Sequence, residues 1–237
     1  MYKRILLKLS GEQLAGEQGH GIDPDFVQWL AAEIKKAVTT GAEVAIVVGG
    51  GNWLRGAAYA EHGIERATAD YMGMLATSMN GLALMDMLES QGVPVRLQSN
   101  LRMDQIAEPF IRRRALRHME KGRVVVIAGG TGKPYITTDT AAVNAALELE
   151  CDAVLKATKV DGVYDKDPMK HSDAIKQATI THQEALESPS IQVMDRAALG
   201  MAADSNMPII IFKLEENSIS NVVAGEQIGT VVSREIV

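Results

Sequence analysis

Short aliphatic runs, three of which lead into glycine, constrain this chain more than any other feature. Runs at residues 5–9, 44–48, 93–97, 124–128, 153–155 and 209–212 are short and rich in Val, Ile and Leu, and they read as buried strands. Longer stretches of helical period separate them. The clearest opens at Asp23-Pro24, a capping residue followed by proline at the first helical position, and stops at Gly41. Its apolar stripe is Val27, Leu30, Ala31, Ile34 and Val38. Further helices are expected at 70–91 before Gly92, at 105–121 before Gly122, and after Thr138-Asp139. Strands alternating with helices imply right-handed crossovers and an α/β fold with a mostly parallel sheet covered on both faces. With no proline- or serine-rich linker and no solenoid-period repeat, residues 1–237 are expected to form a single domain, with two lobes around a cleft.

Composition narrows the function. A hydrophobic fraction of 46% and a charged fraction of 23% suit a globular protein. Aromatic residues are only 4%, so the core must be aliphatic, with help from Ala and 12 Met. A net charge of −6 argues against a nucleic-acid binder that needs a broad basic surface. The single cysteine, Cys151, excludes an intrachain disulfide framework and suits a reducing compartment. No apolar run approaches the roughly 18 residues of a membrane span, so no membrane association is expected. Ile5-Leu6-Leu7 behind Lys3 and Arg4 is broken by Lys8 and is too short for a signal-peptide core. A cytoplasmic location is the resulting expectation.

The chemistry is expected where strands end. Residues 5–9 run into Ser10-Gly11, 44–48 into Gly49-Gly50-Gly51-Asn52, and 124–128 into Gly129-Gly130-Thr131-Gly132. Ligands of open α/β sheets bind outside the carboxyl ends of strands, and glycine lets backbone N–H groups approach phosphate oxygens. A tight turn alone explains one such junction. Three in one chain point to phosphate binding. The familiar nucleotide motifs are absent, since Gly132-Lys133 is followed by Pro134 and the Gly49 cluster does not spell G-x-G-x-x-G.

Lys8 interrupts a strand that otherwise reads as central, and burying an ammonium there is unfavourable unless an anion meets it. An edge strand with Lys8 turned to water is the alternative. Arg55 lies just past the second loop, where it either forks onto phosphate or is simply solvated. Asp139 either caps a helix or holds phosphate-binding lysines in position. Asp70 is likewise an N-cap or a ligand for ribose hydroxyls. The string from Lys156 to Tyr164 leaves a strand for an Asp161-Gly162 turn, and Asp167-Pro168 marks another turn. Met72, Met74, Met79, Met85 and Met87 suit a core or a subunit interface better than a cofactor box. Arg112-Arg113-Arg114, Arg117, Lys121 and Arg123 suit a solvated helix face. Neither the His and Cys residues nor any Ser/His/Asp set shows a metal-ligand or triad pattern.

Four strings in order carry a resemblance: Lys8-Leu9-Ser10-Gly11-Glu12; Gly49-Gly50-Gly51-Asn52 with Arg55-Gly56; Gly130-Thr131-Gly132 through Thr137-Thr138-Asp139; and Lys156 through Tyr164. Together with Asp70-Tyr71-Met72-Gly73-Met74-Leu75 and Ala107-Glu108-Pro109-Phe110-Ile111-Arg112-Arg113-Arg114, the chain resembles the bacterial uridylate kinases of the amino acid kinase family, nearly end to end. Lys133 departs from the pattern, standing where that group usually has Asn. The resemblance implies a three-layer αβα sandwich and transfer of the γ-phosphoryl group of ATP to UMP, with Mg²⁺, in pyrimidine nucleotide synthesis. It implies that Lys8, Ser10, Gly11, Gly51, Arg55, Thr158, Tyr164 and Asp167 face ATP. Gly50, Asp70, Thr131, Gly132, Lys133, Pro134, Tyr135, Ile136, Thr137 and Thr138 would face UMP. Asp139 would organise Lys8, and Asp195 would lie near the reacting phosphates. A homohexamer with GTP as activator and UTP as inhibitor is implied too, with Arg112-Arg113-Arg114 a candidate for the GTP phosphates. A kinase of another small metabolite, or a nucleotide-binding regulator without catalysis, are the competing readings.

Overall fold

The computed structural model describes residues 1–54, 63–166, 171, 173–188, 191 and 194–234. Arg55 and Asp167 lie outside the described residues. The first half runs β1 (Arg4–Leu9), α1 (Gly11–Leu14), α2 (Pro24–Thr39), β2 (Glu43–Val48), α3 (Arg66–Ser90), β3 (Val95–Ser99), β4 (Glu108–Pro109), α4 (Arg112–Glu120) and β5 (Val124–Ala128). The second half runs α5 (Thr138–Glu148), β6 (Ala153–Thr158), β7 (Val163–Tyr164), β8 (Lys176–Gln177), β9 (Thr179–Thr181), α6 (His182–Glu187), α7 (Arg196–Ser205), β10 (Ile209–Lys213), α8 (Ser218–Ala224) and β11 (Thr230–Ser233).

A nine-stranded sheet has the order β4-β3-β5-β2-β1-β6-β10-β11-β9, and β7 and β8 form a separate two-stranded ribbon. Every pairing in the large sheet is parallel except β10 with β11. The side chains of each strand alternate between two cores, as the period of two requires. Ile5, Leu7 and Leu9 join Ile46, Val126 and Leu155 under α2, α3 and α8. Leu6, Val47, Val125 and Val154 join Ala142 and Val143 of α5 and Ala198 and Leu199 of α7 on the other face. Helices therefore cover both faces, which explains why the strands read as continuous apolar runs. The chain leaves β1 toward β2 on one side, and β6 enters on the other. The topology thus reverses at the β1–β6 seam, where open sheets place their ligands.

The expected boundaries needed correction in places. The helix expected from residue 105 starts only at Arg112, because Pro109 lacks a donor and pushes Glu108 out of the helical region, so that pair forms β4 instead. The helix expected at 70 begins at Arg66, with Glu65 as its N-cap, so the alternative of Asp70 as an N-cap is overturned. The strand expected at 93–97 is Val95–Ser99, since the Val93 N–H closes the end of α3 on Leu88 O at 3.0 Å. The strand expected to end at 155 continues to Thr158.

Candidate active site

Lys8 and Lys156 are register partners on the adjacent parallel strands β1 and β6. Alternation turns both toward the face that holds Leu6 and Val154. Helix α5 begins above them, with Thr137 as N-cap accepting from the Asp139 N–H at 3.1 Å. Asp139 in its first turn then sits between the lysines, with Oδ1 2.6 Å from Lys8 Nζ and Oδ2 2.7 Å from Lys156 Nζ. Lys8 is only 7% exposed, which removes the alternative of a solvated edge lysine. Burial opposes ionisation of Asp139, yet the two ammonium charges and their hydrogen bonds outweigh it and hold its carboxyl below the usual value. Burial, aided by the charge of Lys8, pushes Lys156 below its ordinary value against the opposing pull of Asp139. Two cations against one anion leave the ionised cluster with a surplus positive charge, at a helix N-terminus that also favours anions.

A second carboxylate is fastened to the same helix start. Asp195 caps α7 by accepting from the Ala198 N–H at 2.9 Å. The buried Thr140 hydroxyl lies 3.0 Å from each of its oxygens, and the Thr137 hydroxyl donates to it as well. Asp139 and Asp195 both line a cavity of about 650 Å³ that residues of α6 and α7 also line.

The glycine loops meet above this cluster. A β-carbon on Gly11 would lie 2.6 Å from Gly49 O and 2.7 Å from Gly51 N, so the β1 and β2 loops touch backbone to backbone only because residue 11 has no side chain. A buried amide pair sets the second loop: Asn80 Nδ2 donates to Gly49 O at 2.7 Å and to Asn52 Oδ1 at 2.7 Å, and Asn52 Nδ2 returns a bond to Asn80 Oδ1 at 2.9 Å. The third loop takes positive φ at Gly129, Gly130 and Gly132, and the Gly129 N–H is fixed by Thr77 Oγ1 at 2.8 Å.

Two further clefts open at the same edge of the sheet, one beside the N-terminus of α5 and one beside the end of β6. A compact pocket of about 140 Å³ is lined by Gly50, Gly51, Asp70, Met74, Gly130, Ile136, Thr137 and Thr138 among others, so much of the set expected to face one substrate does converge. Thr131, Gly132, Lys133, Pro134 and Tyr135 do not line it. They form the loop beside it, with Lys133 exposed and the Tyr135 ring 68% exposed. A larger cleft of about 530 Å³ opens where β6 and β10 end, lined by Glu12, Gln13, Phe26, Thr158, Lys159, Lys213 and Leu214 among others. Of the described residues expected on ATP, only Thr158 lines that cleft, and Gly51 lines the compact pocket instead. Ser10 is half-buried, with its N–H donating to Gln13 Oε1 at 2.9 Å. Tyr164 stands on the β7–β8 ribbon, its hydroxyl donating to Asp161 Oδ1 at 2.8 Å.

With this geometry in place, the family model for the amino acid kinase family matches residues 3–213. The chain belongs to the amino acid kinase family. Among solved structures it is similar to UMP kinase from Bacillus anthracis, at 38% identity and TM-score 0.95 over 99% of this chain and 97% of the other. It is similar also to UMP kinase from Ureaplasma parvum, at 34% identity and TM-score 0.91 over 99% and 100%. Uridylate kinase from Archaeoglobus fulgidus matches at 26% identity and TM-score 0.74 over 97% and 99%.

Sequence reasoning missed Lys156, which the structure places against Asp139 beside Lys8. The signal was available: Lys156 interrupts an apolar strand as Lys8 does, but ending that strand at residue 155 made it look like the start of a loop. Thr140, Asn80 and Thr77 were missed too. Each is a buried polar residue inside a helix, and nothing local marks which distant loop its side chain reaches.

Proposed function

We propose that this amino acid kinase transfers the γ-phosphoryl group of ATP to UMP, giving ADP and UDP. The observation that carries the reading is the Lys8–Asp139–Lys156 cluster, buried at the topological switch, with 34–38% identity to two UMP kinases over almost the whole chain in support. The 140 Å³ pocket with Asp70 suits the acceptor, and the 530 Å³ cleft suits the adenosine of the donor.

An oxygen of the UMP phosphate attacks the γ-phosphorus, and the bond from that phosphorus to the β–γ bridging oxygen breaks as ADP leaves. A phosphate monoester with a second pKa of about 6 is largely ionised at neutral pH, so the nucleophile needs no base. Catalysis then consists of alignment and charge neutralisation. Lys8 and Lys156 face the moving group, Asp139 keeps them apart and oriented, and the glycine-loop N–H groups cradle the flanking phosphates. Among the described residues no group of three or more His, Cys, Asp or Glu side chains is arranged to hold a metal. Mg²⁺ entering with ATP would neutralise charge on the donor phosphates. The decisive experiment is ADP release from MgATP with and without UMP, with CMP and acetylglutamate as rival acceptors. Release that needs UMP supports the reading; equal release with acetylglutamate, or none with any acceptor, overturns it.

Assembly and regulation belong to the same proposal. Tyr71, Leu75 and Met79 form an exposed apolar stripe at i, i+4, i+8 on α3, which suits a subunit contact in a homohexamer of the 25.5 kDa chain. Light scattering that shows a stable monomer would defeat it. GTP as activator and UTP as inhibitor extend the proposal. Arg112 is already paired with Glu150 and Arg114 lies 3.9 Å from Glu108 Oε2, so Arg113 is the better candidate for effector phosphates. No described helix is long and apolar enough to cross a membrane.

A further inference from the structure

The acceptor pocket's carboxylate is gripped from two sides. Arg66, one turn earlier on α3, places Nε 2.9 Å from Asp70 Oδ1 and 3.0 Å from Oδ2. From across the pocket mouth the Tyr135 N–H donates to Asp70 Oδ2 at 2.8 Å. The Arg66 guanidinium also lies 5.6 Å from the centroid of the Tyr135 ring, within cation–π range. Tyr135 has a φ of 67°, a left-handed conformation that residues with side chains rarely adopt and that surrounding contacts must maintain. The three residues thus close a clasp between helix α3 and the 131–137 loop. A carboxylate offers roughly four acceptor positions. Arg66 and Tyr135 crowd Oδ2, while among the described residues Oδ1 meets Arg66 alone and keeps room for a hydroxyl beside the pocket that Asp70 lines.

We propose that Arg66 is a positioning residue that, through this clasp, orients Asp70 to accept from the ribose hydroxyls of the acceptor and so selects ribonucleotides over 2′-deoxyribonucleotides. The proposal rests on the UMP reading above. A site that presents an acceptor to a hydroxyl disfavours an analogue that lacks it, because the acceptor position kept open on Oδ1 is then unfilled. That penalty needs a fixed carboxylate. Once Arg66 is removed, Asp70 can turn toward water and the penalty disappears.

The test compares kcat and KM for UMP and 2′-deoxy-UMP in the unmodified chain, Arg66→Ala, Asp70→Asn and the double variant. Arg66→Ala is expected to raise KM for UMP about tenfold, the scale of one hydrogen bond to a charged group. It should shrink the ratio of kcat/KM for UMP to that for 2′-deoxy-UMP, while KM for ATP and Tm stay close to their original values. In the Asp70→Asn background, Arg66→Ala should add little, because it acts through Asp70. Independent, multiplicative effects of the two substitutions, or an unchanged ribose preference in Arg66→Ala, overturn the proposal while UMP turnover stands. Failure of the unmodified chain to phosphorylate UMP overturns the parent reading, and the clasp's role falls with it.

Discussion

Asp139 and Asp70 both meet basic side chains at the carboxyl edge of the sheet, but the fold holds them differently. Asp139 lies between ammonium groups rooted in two central strands, in a site where all three side chains are at most 15% exposed. Asp70 rides on a helix against an arginine that is 44% exposed and a peptide N–H in a strained loop. In the first arrangement all three side chains are desolvated, which on the proposed function suits neutralising a phosphoryl group in transfer. In the second, Asp70 is itself only 15% exposed, but its arginine partner is open to solvent and its other donor sits on a loop, which on the proposed function suits a site that admits and releases a nucleotide. Its partners, rather than the carboxylate itself, make the second the more compliant of the two.

The comparison is tested hardest at Asp139. Asp139→Asn leaves two buried lysines facing each other, and breaking a buried ion pair in this way typically costs about 3–5 kcal/mol. Chemical denaturation should register a loss of that order, and the remaining pKa of Lys156 should fall further as its counter-charge goes. The sign with pH follows from the lowered carboxyl pKa of Asp139. Its stabilisation is present above the ordinary carboxylate value and is lost as pH falls through the folded-state value. The Asn variant should lack that acid-limb slope. A loss under about 1 kcal/mol, the range of an exposed pair, would make the two carboxylates alike after all.

Next in size is Lys8→Ala. Loss of a transition-state donor should lower kcat at least about a hundredfold while circular dichroism stays normal. Near-normal turnover would remove Lys8 from the chemistry. At the compliant site Asp70→Asn should act mainly on one substrate, raising KM for UMP by about tenfold or more with little change for ATP. Equal shifts in both KM values would make Asp70 a structural residue of α3 rather than a ligand.

The smallest effect comes from outside both sites. His182 is 3% exposed, with Nε2 2.9 Å from Met207 O and Nδ1 buried without a partner among the described residues. Burial pushes its pKa below the ordinary value, against the weaker pull of that carbonyl. The unfolded chain therefore takes up a proton that the folded chain resists, and stability should decline as pH drops below about 6.5. His182→Gln should flatten the slope between pH 7 and pH 5. An unchanged slope would assign it to other groups. This limb lies well above the acid one, so a denaturation series can separate His182 from Asp139.

The site was legible in the sequence to the extent that it is built from strand ends. Lys8 could be read because an ammonium inside Ile5-Leu6-Leu7-Lys8-Leu9 has few tolerable environments, and the glycines of the three loops could be read because only glycine permits such close approach. Asp70 and Asp139 were visible only as pairs of possibilities. A carboxylate near a helix start looks the same whether it caps the helix or serves a distant lysine.

What the sequence by itself determined was the α/β class, the parallel sheet and the glycine-lined edge, because these follow from periodicity and backbone sterics within a few residues. Tertiary structure alone decided that β6 docks beside β1 and brings Lys156 into register with Lys8 across about 150 residues of chain. It also decided that Asp139 lands between them, that Thr140 ties Asp195 to the same helix, and that the Tyr135 N–H reaches Asp70 from the far side of its pocket. These are pairings between groups far apart in sequence. Their energies depend on distance and burial, and neither exists until the sheet order is set.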